Sequence, residues 1–528
     1  MLEKQIKKSK SYLKPLSFTT TLRNPERIAG FLKCISPFAG QKLTNDLIVK
    51  IVKSLIQAKL YSTKYQESNP EYKRIYDSLS DEYTEDQLND IIVNSPQRHK
   101  EAGFDLGWPS RFDTWYKITK EFGFLFYSIN QNIILSETGS MIVSAFNEEP
   151  VNYTKIQKIF LNSLMKYPRV NPYRRVLNNN MPLSLLLNVI KLLKKDDSLN
   201  GAGVHRKEIP FFLCWPNNDA KELYFFIKSL REKIGCSSYT DEIIYDKCLN
   251  LLQTNNQKLF KSSQICKELV DDYIRKMRMT GLISFRGAGN YIDINSFEKK
   301  SVDYVCKNYS EVCSFQSEKE FFLYIGKIDE NILNFDEIVE EQYIDVKQKC
   351  LYEYAKKYSS EQIFDELRIL KRKQSSSDPV LKYIPEPTRL EFLVSVSLVQ
   401  NLKNVNIKPN YKVDDTGIPT FTASGGFADI ECFDSDYDSY FEVTLMTGRQ
   451  NQINNEMIPI QRHLQEAKRQ RRIESFSVFV APVIHQDVKL FAEWVKNRNN
   501  DDIIPLDITE FIEKVSLIDT PSQLLLND

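Results

Sequence analysis

The sequence predicts an α+β multidomain protein, with a mostly helical N-terminal region, a charged helical linker and a C-terminal α/β domain built on a mixed sheet. Three observations support this class. The chain has 528 residues, enough for roughly two to four domains. Two N-terminal segments have the pattern of helices followed by a β-hairpin. The C-terminal part instead alternates helices with strands.

The composition is that of a globular protein with almost no net charge. Hydrophobic residues make up 42%, and the formal net charge of +1 neither indicates nor excludes nucleic acid, which binds to local basic patches. Because no apolar run reaches ~18 residues and the N-terminus has no apolar signal segment, we expect a cytoplasmic protein without membrane contact. The nine cysteines form no CxxC pair and there are only four histidines. Any bound metal is therefore expected to be a hard cation with oxygen ligands.

Residues 1–295 contain two segments with the pattern of a winged helix. In the first, a helix with Phe112, Trp115 and Ile118 on one face precedes a hairpin that turns at INQN. Ser136 follows this hairpin and is placed to cap the next helix.

The second segment repeats this order of elements. Ser263 is placed to cap a helix, Gly281 to end it, and residues 287–289 to form the turn of a hairpin. Such units frequently read DNA and also frequently contact other proteins, and we favour the first interpretation.

Basic residues near these segments are the candidates for contact with phosphates. Arg98, Arg111 and Arg286 are the residues that we select as DNA contacts. A further basic run, KYPRVNPYRR, is interpreted as a solvated face, or as a phosphate track if its side chains share one side.

Residues 296–378 are charged and poor in glycine, which predicts one or two helices that serve as a spacer. The run QSSSDP, residues 374–379, predicts a domain boundary. Residues 379–528 then form the C-terminal domain.

This domain contains a hairpin with an acid on each strand, in FADIECFDSDYDSYFEVT. If the turn is centred on residues 435–436, Asp429 and Glu442 lie directly opposite each other; if it is centred one residue later, Asp429 opposes Thr444. Directly opposed Cβ atoms are about 4.5–5.5 Å apart, which suits two oxygens on one Mg²⁺. The alternative is an ordinary hairpin with surface acids.

Two further acids lie on helical stretches of the same domain. Glu391 stands among apolar residues in TRLEFLV, with a surface pair to Arg389 or a lysine as the alternative. Glu456 begins a basic helix that contains His463. Metal-binding carboxylates, a further acid and basic residues are the groups that phosphodiester hydrolysis requires.

Several other chemistries lack their motifs. The acidic turn DSDYDS is not a calcium loop, because Ser439 stands where glycine is needed and Leu445 where glutamate is needed. The chain contains no GxxxxGK[ST], HExxH or GxSxG. ATP-driven translocation, zinc proteolysis and serine hydrolysis are therefore not expected.

The stretches FTTTLRNPERIAGFL, the two winged-helix segments and TRLEFL…ADIE…FEVT…NEMIPIQRHL resemble the type IIS restriction endonucleases of the AlwI family, which includes strand-nicking relatives. The resemblance implies a C-terminal nuclease domain similar to the PD-(D/E)xK fold. It also implies that Asp429 and Glu442 are the catalytic metal ligands, with Glu391 and Glu456 as the further active-site acids.

The sequence departs from the general pattern at one position. Thr444 stands where the E-x-K element has lysine, and the close relatives also read EVT. The replacement is left open among Arg462, His463, Lys468 and a water held by Thr444.

The resemblance predicts a Mg²⁺-dependent endonuclease that cuts double-stranded DNA outside a short asymmetric sequence. Because each chain holds one active site, double-strand cleavage needs a transient homodimer, a second subunit or two events, and a chain that does not dimerise would nick. A cognate DNA methyltransferase is the implied partner that protects the host. The alternatives are a DNA-binding protein with an inactive nuclease-like domain and a structure-specific repair nuclease.

Overall fold

A computed structural model describes residues 14–19, 22, 27–77, 81–148, 151–174, 179–199, 201, 203–335, 340–423, 427–447, 452–470 and 474–526. The predicted α+β class with a mixed sheet is confirmed.

The α-helices of these residues are numbered in chain order. They are α1 (Arg27–Ile35), α2 (Asn45–Gln57), α3 (Lys64–Ser68), α4 (Pro70–Asp77), α5 (Glu85–Asn94), α6 (Trp108–Glu121), α7 (Glu137–Asn147), α8 (Tyr153–Lys166), α9 (Pro182–Lys195), α10 (Ile209–Cys214), α11 (Ala220–Ile234), α12 (Asp241–Leu251), α13 (Leu269–Arg278), α14 (Lys299–Asn308), α15 (Glu318–Ile325), α16 (Glu340–Lys357), α17 (Ser360–Lys371), α18 (Glu386–Asn401), α19 (Ile458–Gln470), α20 (Gln486–Asn499) and α21 (Ile508–Val515). None of the helices in the described part of the chain is long and apolar enough to cross a membrane.

The strands of the described residues form four sheets. They are β1 (Leu125–Phe126), β2 (Ile134–Leu135), β3 (Val204–His205), β4 (Ile283–Arg286), β5 (Tyr291–Ile294), β6 (Asn406–Pro409), β7 (Lys412–Val413), β8 (Pro419–Phe421), β9 (Ile430–Phe433), β10 (Tyr437–Val443), β11 (Glu474–Ala481) and β12 (Ile503–Asp507). The largest sheet has the order β12-β11-β10-β9-β6, in which β10 runs parallel to β11 and antiparallel to β9.

The chain divides into two compact units. The first unit contains residues 1–61 and 96–337, and the second contains residues 62–95 and 338–528. The second unit is thus built from two separate parts of the chain, and it holds the largest sheet.

The predicted linker, residues 296–378, forms helices but is not an isolated spacer. In the first unit α15 buries Phe321 and Phe322. In the second unit α17 buries Ile363 and Leu367 and packs against α18. The functional assignment of the ranges 1–295, 296–378 and 379–528 stays a prediction.

Both predicted hairpins of the first unit are present. Ser136 caps α7, because its side chain accepts a hydrogen bond from the backbone N–H of Gly139 at 2.9 Å. In the second segment β4 and β5 pair antiparallel around the turn at residues 287–290, and β3 adds a third strand beside β5. Ser263 makes no capping hydrogen bond, since its backbone is already helical and a π-helical turn, Gln264–Glu268, follows it.

The basic run KYPRVNPYRR is turned inward, unlike either prediction. Arg169 is 1% exposed and donates to the carbonyl of Trp215 at 3.0 Å, and Arg174 is paired with the buried Glu121 at 2.9 Å. Lys166 donates to backbone carbonyls. Arg175 lies outside the described residues. Buried cations require such partners, so these side chains stabilise the fold and form no phosphate track.

The core of the second unit forms where α19 covers the large sheet. Met457, Ile460 and Leu464 lie on one face of the α19 region and pack against Phe479 of β11. The spacing of three and four residues produces this apolar stripe. The opposite side of the helix is left for polar residues.

Gly417, in the turn between β7 and β8, gives a stability prediction. Its φ is +81° and an added Cβ would lie 2.4 Å from the carbonyl oxygen of Val346 in α16. We expect Gly417→Ala to lower the free energy of unfolding by about 3 kcal/mol, because strain and overpacking add. Gly40→Ala is the matched control, since Gly40 has the same φ of +81° and nothing within 4 Å of its Cβ. Equal losses of melting temperature in both variants would contradict the packing argument.

Candidate active site

The two hairpin acids of the second unit face each other. Tyr440 pairs with Glu431 and Phe441 with Ile430, and one more step in this register sets Glu442 opposite Asp429. The first of the two predicted registers is therefore correct. The backbone N–H of Val443 donates to Asp429 Oδ2 at 2.7 Å, which fixes the carboxylate against β10.

Asn410 holds the backbone on either side of this aspartate. Its side-chain amide donates to the carbonyl of Ala428 at 2.7 Å, and its backbone N–H donates to the carbonyl of Asp429 at 2.8 Å. Asp429 immediately precedes β9, so it lies just before the regular hydrogen bonds between the strands begin. No local sequence pattern indicates this role for Asn410, because its partners lie 18 and 19 positions along the chain.

Glu391 reaches the same region from α18. The residue is 2% exposed and its Oε2 accepts the backbone N–H of Ala423 at 3.1 Å. Burial and then the charge of Asp429 raise its pKa well above the usual range, while the charge of Lys347 lowers it. Glu391 is therefore buried, unlike in the alternative that placed it in a surface ion pair.

Glu456 and His463 belong to the helical region that follows the hairpin. Glu456 lies in a π-helical turn, Gln452–Met457, that leads into α19. Because the two residues are seven positions apart, they share one helix face. Glu456 is hydrogen-bonded to Thr444, and His463 Nδ1 lies 3.3 Å from Glu442 Oε1.

The acids disturb one another's ionisation. Burial, followed by the charge of Glu456, raises the pKa of Glu442 to about 8. Burial, followed by the charge of Asp429, raises the pKa of Glu456 to about 8. The pKa of Asp429 lies well above its usual range, through burial and then through the charge of Glu442. The acids therefore converge on one place where negative charge is insufficiently compensated.

A divalent cation held by oxygen fits this donor set. Among the described residues, no group of three or more His, Cys, Asp and Glu side chains forms a closed metal cage. Mg²⁺ does not require one, since it is commonly held by one or two carboxylates and retains several waters. The opposed pair Asp429 and Glu442 meets that requirement, and their raised pKa values mark the absence of a compensating charge.

The candidates for the missing lysine are now separated by their contacts. Lys468 is paired with Asp501 at 3.2 Å and donates to the carbonyl of Asn500. Arg462 is exposed to solvent. His463 and Thr444 remain, because each contacts one of the acids.

The three arginines selected for DNA contact have different surroundings in the first unit. Arg98 is exposed. The guanidinium of Arg111 stacks on Tyr61 and Trp115, at 5.6 and 5.3 Å from the ring centroids. Arg286 is engaged within its own hairpin, where it donates to Ser284 Oγ at 2.7 Å.

Comparison with known proteins identifies the family of this chain. Residues 120–350 and 325–514 match the model of the family described as AlwI restriction endonuclease. The chain belongs to the AlwI restriction endonuclease family. It is a type II site-specific deoxyribonuclease, an enzyme that acts on DNA.

Solved structures of other restriction endonucleases are also similar to this chain. The small subunit of the heterodimeric restriction endonuclease R.BspD6I has 23% identity over 31% of this chain and 85% of its own, with a TM-score of 0.26. Restriction endonuclease FokI has 12% identity over 95% of this chain and 96% of its own, with a TM-score of 0.24. A comparison with curated proteins found no match.

The raised pKa values give a prediction for metal-dependent stability. When a carboxyl group has a higher pKa in the folded protein than in the unfolded protein, its protonated form stabilises the fold. This contribution is complete at pH values below the unfolded pKa and is lost as the pH rises through the folded pKa. For Glu442 and Glu456 the loss runs from about pH 4.5 to about pH 8. We expect Mg²⁺ to raise the melting temperature more at pH 9 than at pH 6, as measured by thermal denaturation against EDTA. An equal or smaller effect of Mg²⁺ at pH 9 would contradict the view that these carboxyl groups lie at a metal site.

Proposed function

We propose that this enzyme is a Mg²⁺-dependent type IIS restriction endonuclease, which cuts DNA outside a short asymmetric recognition sequence. Residues 379–528 contain its nuclease domain, similar to the PD-(D/E)xK fold. The observation that carries the proposal is the convergence of Glu391, Asp429, Glu442 and Glu456 from a helix, two strands and a π-helical turn. Four acids that raise one another's pKa in a protein that acts on DNA are the donor set of a metal-dependent phosphodiesterase.

Asp429 and Glu442 are the residues that would hold the cation. When bound there, Mg²⁺ supplies Lewis acidity to a phosphoryl oxygen and makes a water more acidic. Val443 orients Asp429 through its backbone N–H, and His463 contacts Glu442. The cation would also relieve the repulsion between the two carboxylates, which favours their ionised form.

His463 and Glu456 are the proposed proton-handling groups. Burial, and then the charge of Arg462, lowers the pKa of His463, which favours the neutral imidazole that can accept a proton. Thr444, two residues after Glu442 and just beyond the end of β10, lies close enough to Glu456 to offset part of the rise in its pKa. Glu391, buried on α18, is the further acid of the proposed site.

The first unit is proposed to read the DNA sequence. Helices α12 and α13 and the hairpin β4–β5 follow one another along the chain, and the earlier strand β3 pairs with β5. This order of helices and hairpin is that of a winged helix and supports the assignment. Arg98, Arg111 and Arg286 are proposed DNA contacts. Arg111 is the best supported, because stacking on two rings holds its guanidinium in a fixed plane.

The number of active sites determines the products. One nuclease domain has one set of acids and cuts one strand at a time, so a double-strand break requires a transient homodimer, a second subunit or two successive events. A cognate DNA methyltransferase is the proposed partner that protects host DNA.

Cleavage of an unmethylated plasmid of mixed sequence tests the proposal. Discrete fragments that require Mg²⁺ are expected, and run-off sequencing of their ends gives the site, the offset and whether one strand or both are cut. A uniform smear, cleavage in EDTA, or ends inside the recognition sequence would overturn the corresponding part of the proposal. A methylated copy of the same plasmid, prepared with the cognate methyltransferase, is the matched substrate control.

A further inference from the structure

The π-helical turn that carries Glu456 is attached to the sheet by a buried amide. Gln452, the first residue of the turn, is 0% exposed. Its Nε2 donates to the carbonyl of Met446 at 3.1 Å and to that of Val483 at 2.8 Å. Its Oε1 accepts the backbone N–H of His485 at 3.3 Å. Both amide hydrogens and the oxygen are therefore in use.

The three partners belong to the segments that follow two adjacent strands. Met446 follows β10, which carries Glu442, and Val483 and His485 follow β11. Because β10 and β11 are parallel, both segments begin at the same end of the sheet, where the carboxyl ends of the two strands lie. Gln452 therefore joins the ends of both strands to the start of the turn.

Glu456 is located by this attachment and by one other contact. Four positions separate Gln452 from Glu456, and Met457 next to it is fully buried in the core beneath α19. The second contact is the hydrogen bond between Glu456 and Thr444. A π-helical turn is less stable than an α-helical one, and such turns persist where the surroundings hold them and occur often at functional sites. The amide of Gln452 is a group that can hold this one.

We propose that Gln452 is a positioning residue, whose three hydrogen bonds set the place of Glu456 relative to Asp429 and Glu442. The proposal rests on the function proposed for Glu456 in DNA cleavage. The hydrogen bonds of Gln452 go to the backbone of Met446, Val483 and His485 and not to the acids, so its effect on the reaction passes through the backbone of the turn. A displacement of the acid by about 1 Å is enough to lower the rate about a hundredfold.

Gln452→Met keeps the length of the side chain and removes its hydrogen bonds. We expect the single-turnover cleavage rate to fall about 10- to 100-fold while the Kd for uncleaved DNA, measured in Ca²⁺, stays within about threefold of the wild-type value. Gln400→Met is the matched control. Gln400 also donates to two backbone carbonyls, those of Ala355 and Tyr358, at 3.0 and 2.7 Å, but lies at the end of α18. The control is expected to lose thermal stability and to cleave at the wild-type rate.

A double variant separates positioning from general loss of structure. If Gln452 acts through Glu456, Gln452→Met combined with Glu456→Gln cleaves no more than about threefold slower than Glu456→Gln alone. Three results would each overturn the inference. They are a double variant whose loss of rate equals the product of the two single losses, a wild-type rate in Gln452→Met, and an equal loss of rate in Gln400→Met. Gln452→Asn, which retains the amide but is one methylene shorter, provides a milder variant if Gln452→Met fails to fold, and an intermediate rate is expected for it.

The failure of this inference is distinguishable from that of the proposed function. Cleavage by the wild type with a reduced rate in Glu456→Gln supports the proposed role of Glu456, whatever Gln452→Met does. A wild-type rate in Glu456→Gln would instead remove the role of Glu456, and with it the reason for a positioning residue.

Discussion

Asp429→Asn is expected to lower the rate of DNA cleavage by about a thousandfold or more and to leave specific DNA binding intact. The substitution keeps the shape of the side chain and removes the charge that the cation requires. It also removes one source of the raised pKa of Glu391 and Glu456. Single-turnover cleavage and equilibrium binding to the same duplex measure the two effects separately.

Glu431→Gln is the matched control for this variant. Glu431 lies two residues further on the same face of the hairpin and is paired with Lys408 at 3.1 Å, near the surface. Its substitution is expected to change cleavage by less than about threefold, since exposed ion pairs contribute little. Comparable losses in both variants would show that the hairpin is needed for folding only, and would contradict the assignment of Asp429.

Glu442→Gln is expected to combine loss of cleavage with a gain of stability. The rate should fall about as far as in Asp429→Asn, because the second proposed ligand is lost. In EDTA the melting temperature should rise above that of the wild type, and the difference should grow as pH increases from 6 to 9. The sign follows from the pKa of about 8 in the folded state, since the wild type loses stability as this carboxyl ionises and the amide does not.

A buried glutamate that has a cation partner provides the contrast. Glu208 is 0% exposed and is paired with Arg231 at 2.6 Å. Glu208→Gln is expected to lower the melting temperature under the same conditions, because it leaves the arginine without its charge partner. A fall of melting temperature in Glu442→Gln in EDTA at pH 9 would mean that its carboxylate is compensated by protein groups, and that the argument for a metal fails.

The opposed acids of the hairpin could be predicted because their geometry is local. Side chains alternate along a strand, and Asp429 and Glu442 are symmetric about residues 435–436, so the register follows once the turn is located. The cap at Ser136 is equally local, since its partner lies three residues away. Ser263 fails the same rule because the helix there begins earlier than the capping pattern indicates.

Other features depend on contacts between distant parts of the chain. Asn410 and Gln452 act on backbone groups that their own neighbourhood does not reveal. The inward course of Arg174 depends on Glu121, which is 53 positions away in the sequence. The sequence shows which residues are basic. Whether a basic side chain is exposed to solvent or paired with an acid depends on its partners in the tertiary structure.

The discontinuous course of the second unit bears on the transfer of cleavage activity to other DNA-binding proteins. A fusion that began at residue 379 would leave behind α16 and α17, which pack against the helix of Glu391. It would also omit residues 62–95, which belong to the same unit. For a chimeric nuclease built on the proposed function, the part of the chain to transfer is the whole second unit, residues 338–528 together with residues 62–95. The chain passes between the two units three times, after residues 61, 95 and 337, so a new recognition element would have to be joined at three points. The two parts of the second unit are therefore constrained to evolve together.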